Sequence, residues 1–254
     1  PDLPVSIHGQ GAFFIDMGNF FAPLNALRLS DFAYWEWYGD ELFYSALLRG
    51  LSHKPTLGHA PYGSEFQVGY WPASHQYPLS YSGDYINAVV SGMVAHGCRP
   101  IMLLDFSPDG SPKDSVSLME PIYRAVKEKQ QYIQDAAPFL YAAIVYSDAT
   151  KTYYYRHDPE RSLVPSLRGA FDVFQRLHVP VEFLCDLDLD LENLKKFKLV
   201  VLPNTAVLTK PQVQAITQYV REGGSILATY ETSLYDELGE IQGNFALSEV
   251  FGLR

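Results

Sequence analysis

Along this chain, short apolar runs alternate with longer stretches in which apolar side chains recur every third or fourth position. The runs predict strands and the periodic stretches predict helices. Residues 5–8 (Val5-Ser6-Ile7-His8) predict a strand that gives way at Gly9-Gln10 to an aromatic-rich loop over 11–26. Residues 29–37 predict a second strand. Over 40–53, Leu42, Phe43, Ala46, Leu47 and Leu51 share one face of a helix. A third strand over 56–59 is entered from Lys54-Pro55, and a long loop follows over 61–82. Residues 84–96 predict an apolar helix stopped by Gly97. The apolar stretch 100–106 predicts a fourth strand, Ser107-Pro108-Asp109-Gly110 a turn, and 115–131 an amphipathic helix.

Residues 1–138 therefore read as successive strand–loop–helix units, and strands alternating with helices mean a parallel sheet. His8, Glu36, His59 and Asp105 stand where its strands end. In a (β/α)8 barrel that rim carries the active site. A whole barrel takes roughly 250 residues and eight units. The expectation is an α/β fold opening on a partial barrel, its last four units, in a chain that begins in mid-fold at Pro1.

A second rhythm starts near Pro138. Residues 140–146 predict a strand, and 166–177 a helix with Leu167, Phe171, Phe174 and Leu177 on its apolar stripe. A strand over 181–184, a short helix over 191–197 and a strand over 199–202 follow. The helix over 211–221 has Pro211 at its start and Gly223-Gly224 at its end, and 225–230 predict another strand. The last residues, 246–254, read as a helix leading onward. This predicts a doubly wound, flavodoxin-like or class I amidotransferase-like domain over 139–254, cut short at its C-terminus. Such domains often bind nucleotides, but Tyr146-Ser147-Asp148-Ala149-Thr150 lacks the glycine fingerprint after the first strand. An amidotransferase needs a cysteine on a tight turn after a strand. The turn after Ile226-Leu227-Ala228-Thr229 carries Tyr230-Glu231-Thr232 instead, and Cys185 ends a different strand. The domain reads as structural or oligomerising.

Composition narrows the classes. Of 254 residues, 47% are hydrophobic and 19% charged, which excludes a disordered tail. Net charge is −10 with no basic stripe, so nucleic acid is not an expected partner. Cys98 and Cys185 are too few for a disulfide framework or metal cluster and are expected as two buried thiols. No apolar run reaches the roughly 18 residues of a membrane span. No signal peptide is visible, but in a chain read as starting in mid-fold this leaves localisation open. Aromatics cluster in Tyr34-Trp35-Glu36-Trp37-Tyr38 and over 66–81. Rings beside carboxylates suit a carbohydrate site, since a sugar stacks one face on a ring and hydrogen-bonds through its hydroxyls. An ordinary aromatic core is the alternative.

Three pieces of the second half belong together: Lys198-Leu199-Val200-Val201-Leu202-Pro203-Asn204, then Tyr219-Val220-Arg221-Glu222-Gly223-Gly224-Ser225-Ile226-Leu227, then Glu231 and Asp236-Glu237. In order and spacing they resemble the trimerisation domain of family 42 β-galactosidases and their relatives, over about residues 139–254. Upstream, Ala95-His96-Gly97-Cys98-Arg99-Pro100-Ile101, Asp105, Pro108, Gly110, Ile122-Tyr123 and Lys127-Glu128-Lys129 resemble the last barrel unit of glycosyl hydrolases of that group and of α-L-fucosidase-like proteins. Those relatives often carry Lys and Glu in the helix before the last strand, where this chain has Asp84-Tyr85-Ile86-Asn87.

Glycoside cleavage needs two carboxylates across the scissile bond. Glu36, between Trp35 and Trp37, is the candidate general acid, because burial beside rings favours its neutral form. A solvated or salt-bridged Glu36 is the alternative. Glu65, in Gly63-Ser64-Glu65-Phe66, is the other catalytic candidate; the family resemblance implies a nucleophile after the seventh strand, and counting back from the last strand reaches it. Asp105 is expected to orient sugar hydroxyls or a neighbouring side chain. His8 and His59 read as hydrogen-bonded supports, since no zinc-type spacing appears. With Trp35, Trp37, Tyr62 and Trp71 these make up the expected substrate-binding set, without metal or cofactor. The expectation is a glycoside hydrolase acting on carbohydrate and self-associating through its second domain, with no nucleic-acid or membrane partner. The alternative is a non-catalytic carbohydrate-binding or assembly protein that kept the fold.

Overall fold

In a computed structural model the structure describes residues 24, 28–29, 31, 33–35, 41–52, 56–59, 83–101, 109–111, 115–134, 136–155 and 163–253. Two compact units emerge. The first draws its described residues from Ser30–Arg49 and Lys54–Ala137, the second from Phe13–Leu29, Gly50–His53 and Pro138–Arg254.

The first unit holds a parallel sheet in the order β1 (Ala33–Trp35), β2 (Thr56–His59), β3 (Cys98–Ile101). Ala33 lies opposite Thr56, and Thr56 opposite Cys98. Each step between strands carries a helix: α1 (Glu41–Ser52), then α2 (Gly83–Ala95), with α3 (Ser115–Ile133) after β3. The periodicity decides which faces are buried. In α2, Ile86, Val89, Val90 and Met93 are buried, the spacing of a single helical stripe. In α1 the buried face is broader than expected and takes in Tyr44, Ser45 and Leu48 beside Phe43, Ala46, Leu47 and Leu51. Leu42, expected on that face, is 36% exposed. It packs instead toward Gly92 of α2, where a Cβ would fall 2.0 Å from Leu42 Cδ2, so the two helices meet over a bare glycine. α2 stops at Gly97, whose φ of +75° is left-handed. The Arg49 guanidinium lies across it and donates from Nη1 to the His96 carbonyl at 2.9 Å. The Tyr123 hydroxyl of α3 donates to the Pro100 carbonyl at 3.1 Å, which ties that helix to β3. β3 starts two residues before the expected strand, and residues 102–108 lie outside the described set, as does the strand expected over 5–8.

The second unit is a four-stranded parallel sheet in the order β5-β4-β6-β7: β4 (Ala142–Tyr146), β5 (Val181–Cys185), β6 (Leu199–Leu202) and β7 (Ser225–Ala228). β4 pairs on both sides, with Ala142 opposite both Val181 and Leu199, and all five of its residues are buried. α4 (Val164–Leu177), α5 (Leu191–Leu194) and α6 (Lys210–Arg221) connect the strands in turn. Alternate strand residues face opposite layers. Ala143, Val145, Val200 and Leu202 join Leu194, Phe197, Ile216, Tyr219 and Leu247 in one apolar cluster. Phe171 of α4 stacks on Phe183 of β5, ring centroids 5.8 Å apart.

Several ends differ from the expected ones for local reasons. Leu177 is 65% exposed, not part of the stripe formed by Leu167, Phe171 and Phe174. At about 100° per residue it has rotated off that stripe, and the helix ends beside it in a left-handed His178. α5 keeps one turn, capped by Asp190, which accepts from the Asn193 N–H at 2.9 Å. β7 ends at Ala228 because the chain turns into a left-handed Tyr230. The final helix, α7 (Ser248–Phe251), is closed by a left-handed Gly252 and does not run on as expected. Cys98 and Cys185 are buried free thiols. No helix among the described residues is long and apolar enough to cross a membrane.

Candidate functional site

Because β4 to β7 all run parallel, their carboxyl ends share one edge. Ligands of open α/β sheets bind at that edge. Two polar clusters occupy it here.

The first is buried. Asp186 follows β5, and its Oδ2 accepts from the Ser147 hydroxyl and the Ala149 N–H, each at 3.0 Å. The Cys185 thiol donates to Oδ1 at 3.3 Å. Ser147 Oγ accepts from the Thr150 N–H at 3.0 Å, and Thr150 Oγ1 from the Val207 N–H at 3.1 Å. Gln212 of α6 donates from Nε2 to the Asp186 carbonyl at 2.8 Å. The turn after the first strand, where a nucleotide phosphate would sit in a nucleotide-binding fold, thus holds the protein's own carboxylate. Burial, with Asp186 close by, raises the Asp148 carboxyl above its ordinary range. Burial also pushes the Cys185 thiol far up, and Asp186 adds to it. Cys185 sits on extended backbone (φ −74°, ψ 146°), not on a tight turn. A thiolate nucleophile of the amidotransferase kind is disfavoured there on both counts.

The second cluster is half-buried and lies beyond β6 and β7. Asn204, Tyr230 and Ser233 have φ of 49°, 55° and 68°. Left-handed backbone costs a non-glycine residue roughly 1–2 kcal/mol. Asn204 is held by its surroundings: its N–H donates to Thr229 Oγ1 at 3.0 Å, its Nδ2 to the Tyr155 hydroxyl at 2.8 Å, and its Oδ1 accepts from the Glu231 N–H at 3.2 Å. Glu231 Oε2 accepts from the Tyr154 hydroxyl at 2.6 Å and the Tyr235 hydroxyl at 3.4 Å. The Tyr154 ring meets Tyr155 and Tyr235 edge-on, at centroid distances of 4.8 and 5.1 Å. Burial first, then Glu231, pushes the Tyr154 phenol up. Tyr154 comes from a turn of π-helix (Thr150–Tyr154), an element that often marks functional positions.

Of the residues expected in a catalytic or sugar-binding role, His8, Glu36, Trp37, Tyr62, Glu65, Trp71 and Asp105 lie outside the described residues. For Trp35 and His59 the backbone alone is described. Trp35 ends β1 and His59 ends β2; Trp35 pairs with Gly58, so both stand at the carboxyl end of the first sheet. Tyr154, Tyr155 and Tyr235 are candidates that the sequence does not single out by spacing. The signal it holds is the run Tyr153-Tyr154-Tyr155 after the first strand of the second unit and Glu231 after the last.

Residues 141–254 match the family model described as the β-galactosidase trimerisation domain. A search of curated protein sequences returned no match. Among solved structures, the chain is similar to the β-galactosidase of Bacillus circulans sp. alkalophilus, at 15% identity and a TM-score of 0.72, over 89% of this chain and 37% of that one. It is similar to the cold-adapted β-galactosidase of Rahnella sp. R3, at 16% identity and a TM-score of 0.69, over 90% of this chain and 38% of that one. It is also similar to the β-galactosidase of the psychrophilic Marinomonas ef1, at 15% identity and a TM-score of 0.68, over 91% of this chain and 42% of that one. The chain thus spans well under half the length of each of these proteins. Together the matches bear out the resemblance to family 42 β-galactosidases: the trimerisation-domain model matches residues 141–254, and the α/β fold is shared.

Proposed function

We propose that this chain is part of a glycoside hydrolase that cleaves O-glycosidic bonds of a carbohydrate substrate, β-galactosides being the first to test. In this reading residues 1–138 are the last four units of a (β/α)8 barrel. Residues 139–254 are a flavodoxin-like, trimerisation-type domain through which the protein self-associates. One observation carries the reading: a segment matching a β-galactosidase trimerisation domain follows parallel strands alternating with helices, within a fold shared with β-galactosidases over 89% of the chain. The order β5-β4-β6-β7 supports the second assignment, being the order in which a flavodoxin-like sheet begins.

The chemistry assigned to the barrel rim is a carboxylate pair. Glu36, between two tryptophans, donates a proton to the leaving oxygen, and Glu65 attacks or stabilises the anomeric centre. Trp35, Trp37, Tyr62 and Trp71 stack on sugar rings, and His8, His59 and Asp105 hold hydroxyls. The test is Glu36→Gln in the intact enzyme. Turnover of lactose should fall about 10²- to 10⁴-fold, the usual worth of a general acid. Turnover of an aryl galactoside, whose leaving group needs no proton, should fall far less. Glu65→Gln should abolish both. Equal small losses for Glu36→Gln on both substrates would show Glu36 to be a binding residue. Intact protein that binds sugar and hydrolyses no glycoside would instead support a non-catalytic role.

A further inference from the structure

We propose that the carboxyl edge of the second sheet carries a saccharide-binding site of its own, built from Glu231, Tyr154, Tyr235 and the exposed rings of Tyr153 and Tyr230. Three features support it: an oriented carboxylate, a strained exposed ring and a second exposed ring on a neighbouring residue of the π-helical turn. Glu231 is locked by the Tyr154 and Tyr235 hydroxyls on Oε2, at 2.6 and 3.4 Å, and by its own N–H on Asn204. Its Oε1 takes no hydrogen bond from the described residues. An acceptor is therefore oriented before any ligand arrives. Tyr230 is 71% exposed and held at φ 55°. Glycine would hold that turn without the steric cost of a Cβ, so a strained tyrosine marks a position where the ring has a use. Two phenols, those of Tyr154 and Tyr235, meet on the one carboxylate, and Tyr230 precedes Glu231 directly in the chain. Tyr153 is 38% exposed and packs on Gly239, where a Cβ would come within 2.7 Å of the Tyr153 Cβ. The edge-on contacts of Tyr154 with Tyr155 and Tyr235 brace the whole.

This set matches a neutral polyol more closely than an ion. One carboxylate oxygen is already occupied by two phenols, which spreads its charge over a hydrogen-bond network. Phenols both donate and accept, as sugar hydroxyls require. Exposed rings offer the flat apolar surface on which the C–H face of a pyranose rests. An organic cation such as a guanidinium is the competing ligand, since it would also stack and pair with the carboxylate; unlike a sugar, its binding weakens with salt.

The test uses the chain as it stands, in affinity electrophoresis through gels containing soluble galactan, xylan or glucan. Only the inclusion of galactan rests on the proposed function; the site's chemistry does not. Retardation by at least one polysaccharide is expected, unchanged between 0.05 and 0.5 M salt, where screening would weaken an ionic contact. Tyr230→Gly should weaken it about tenfold, as loss of a ring contact worth about 1.4 kcal/mol would. The same change relieves the left-handed strain, so its Tm should be no lower than that of the parent. Binding loss without loss of stability separates a ligand contact from a structural one. Glu231→Gln should weaken binding as well, since it removes the negative charge from the oriented acceptor. Four results would overturn the site: no retardation in any gel, retardation that survives Tyr230→Gly, retardation abolished by salt, or a change in oligomeric state with Tyr230→Gly in the absence of sugar. The last would make this edge a contact between copies of the chain.

Discussion

Ser147 and Asp186 follow neighbouring strands, and the serine hydroxyl donates to the aspartate Oδ2 across 3.0 Å in the interior of the second unit. The same oxygen also takes the Ala149 N–H, so one buried side chain organises the turn after β4. Asp186→Ala leaves the Ser147 hydroxyl, the Ala149 N–H and the Cys185 thiol without their acceptor, at a cost of about 1–3 kcal/mol for a buried polar group so stranded. Asp186→Asn keeps one accepting oxygen and should cost less. Urea unfolding of the two variants should rank them in that order; an alanine variant as stable as the parent would show that the turn does not depend on the carboxylate.

Gln212 has two jobs. In the capping box of α6 its Oε1 accepts from the Thr209 N–H at 2.8 Å, while its Nε2 donates to the Asp186 carbonyl. Thr209→Ala removes one cap interaction, worth about 1 kcal/mol. Gln212→Ala removes the reciprocal half of the box and the tie to the β5 turn together. It should therefore shift the thermal midpoint further than Thr209→Ala. The reverse order would mean that the tie to Asp186 adds nothing.

Cys185 should not react with thiol reagents in the folded protein, since its thiol is buried and held protonated by burial and by Asp186. Labelling with a disulfide reagent at pH 8 should follow opening of the structure and accelerate with sub-denaturing urea. Immediate labelling of Cys185 in the native protein would contradict the observed burial.

His96 makes stability fall in acid. Burial first, then the nearby Arg49, lowers its pKa below the ordinary 6.5. The unfolded chain therefore takes up a proton at a higher pH than the folded one. Its contribution is complete above about pH 6.5 and is lost as pH falls from there toward the folded value. Comparing urea midpoints from pH 7.5 to 5, His96→Gln should show a shallower acid decline than the parent. Parallel declines would remove His96 from the account.

Much of the architecture is written in local pattern. The stripe Ile86, Val89, Val90, Met93 makes α2 by spacing alone, and the short, β-branched apolar run at β4 fits a strand buried on both sides. Gly97 and the pair Gly223-Gly224 stop helices where the chain must turn. Family resemblance was legible for the same reason: strand, turn and helix signals in the second half keep a recognisable order. Other features depended on distant partners. Leu42 packs on Gly92, on another helix, and only the missing side chain there makes room for it. Asp186 and Ser147 are 39 positions apart, and no spacing rule joins them. Glu231 and Tyr154, 77 positions apart, become neighbours only because β4 and β6 pair and then β6 and β7, bringing three strand ends to one edge. Local sequence sets the period of each element and so the element itself; which polar groups meet at the ends of those elements is set by strand order and register, and these exist only once the sheet has formed.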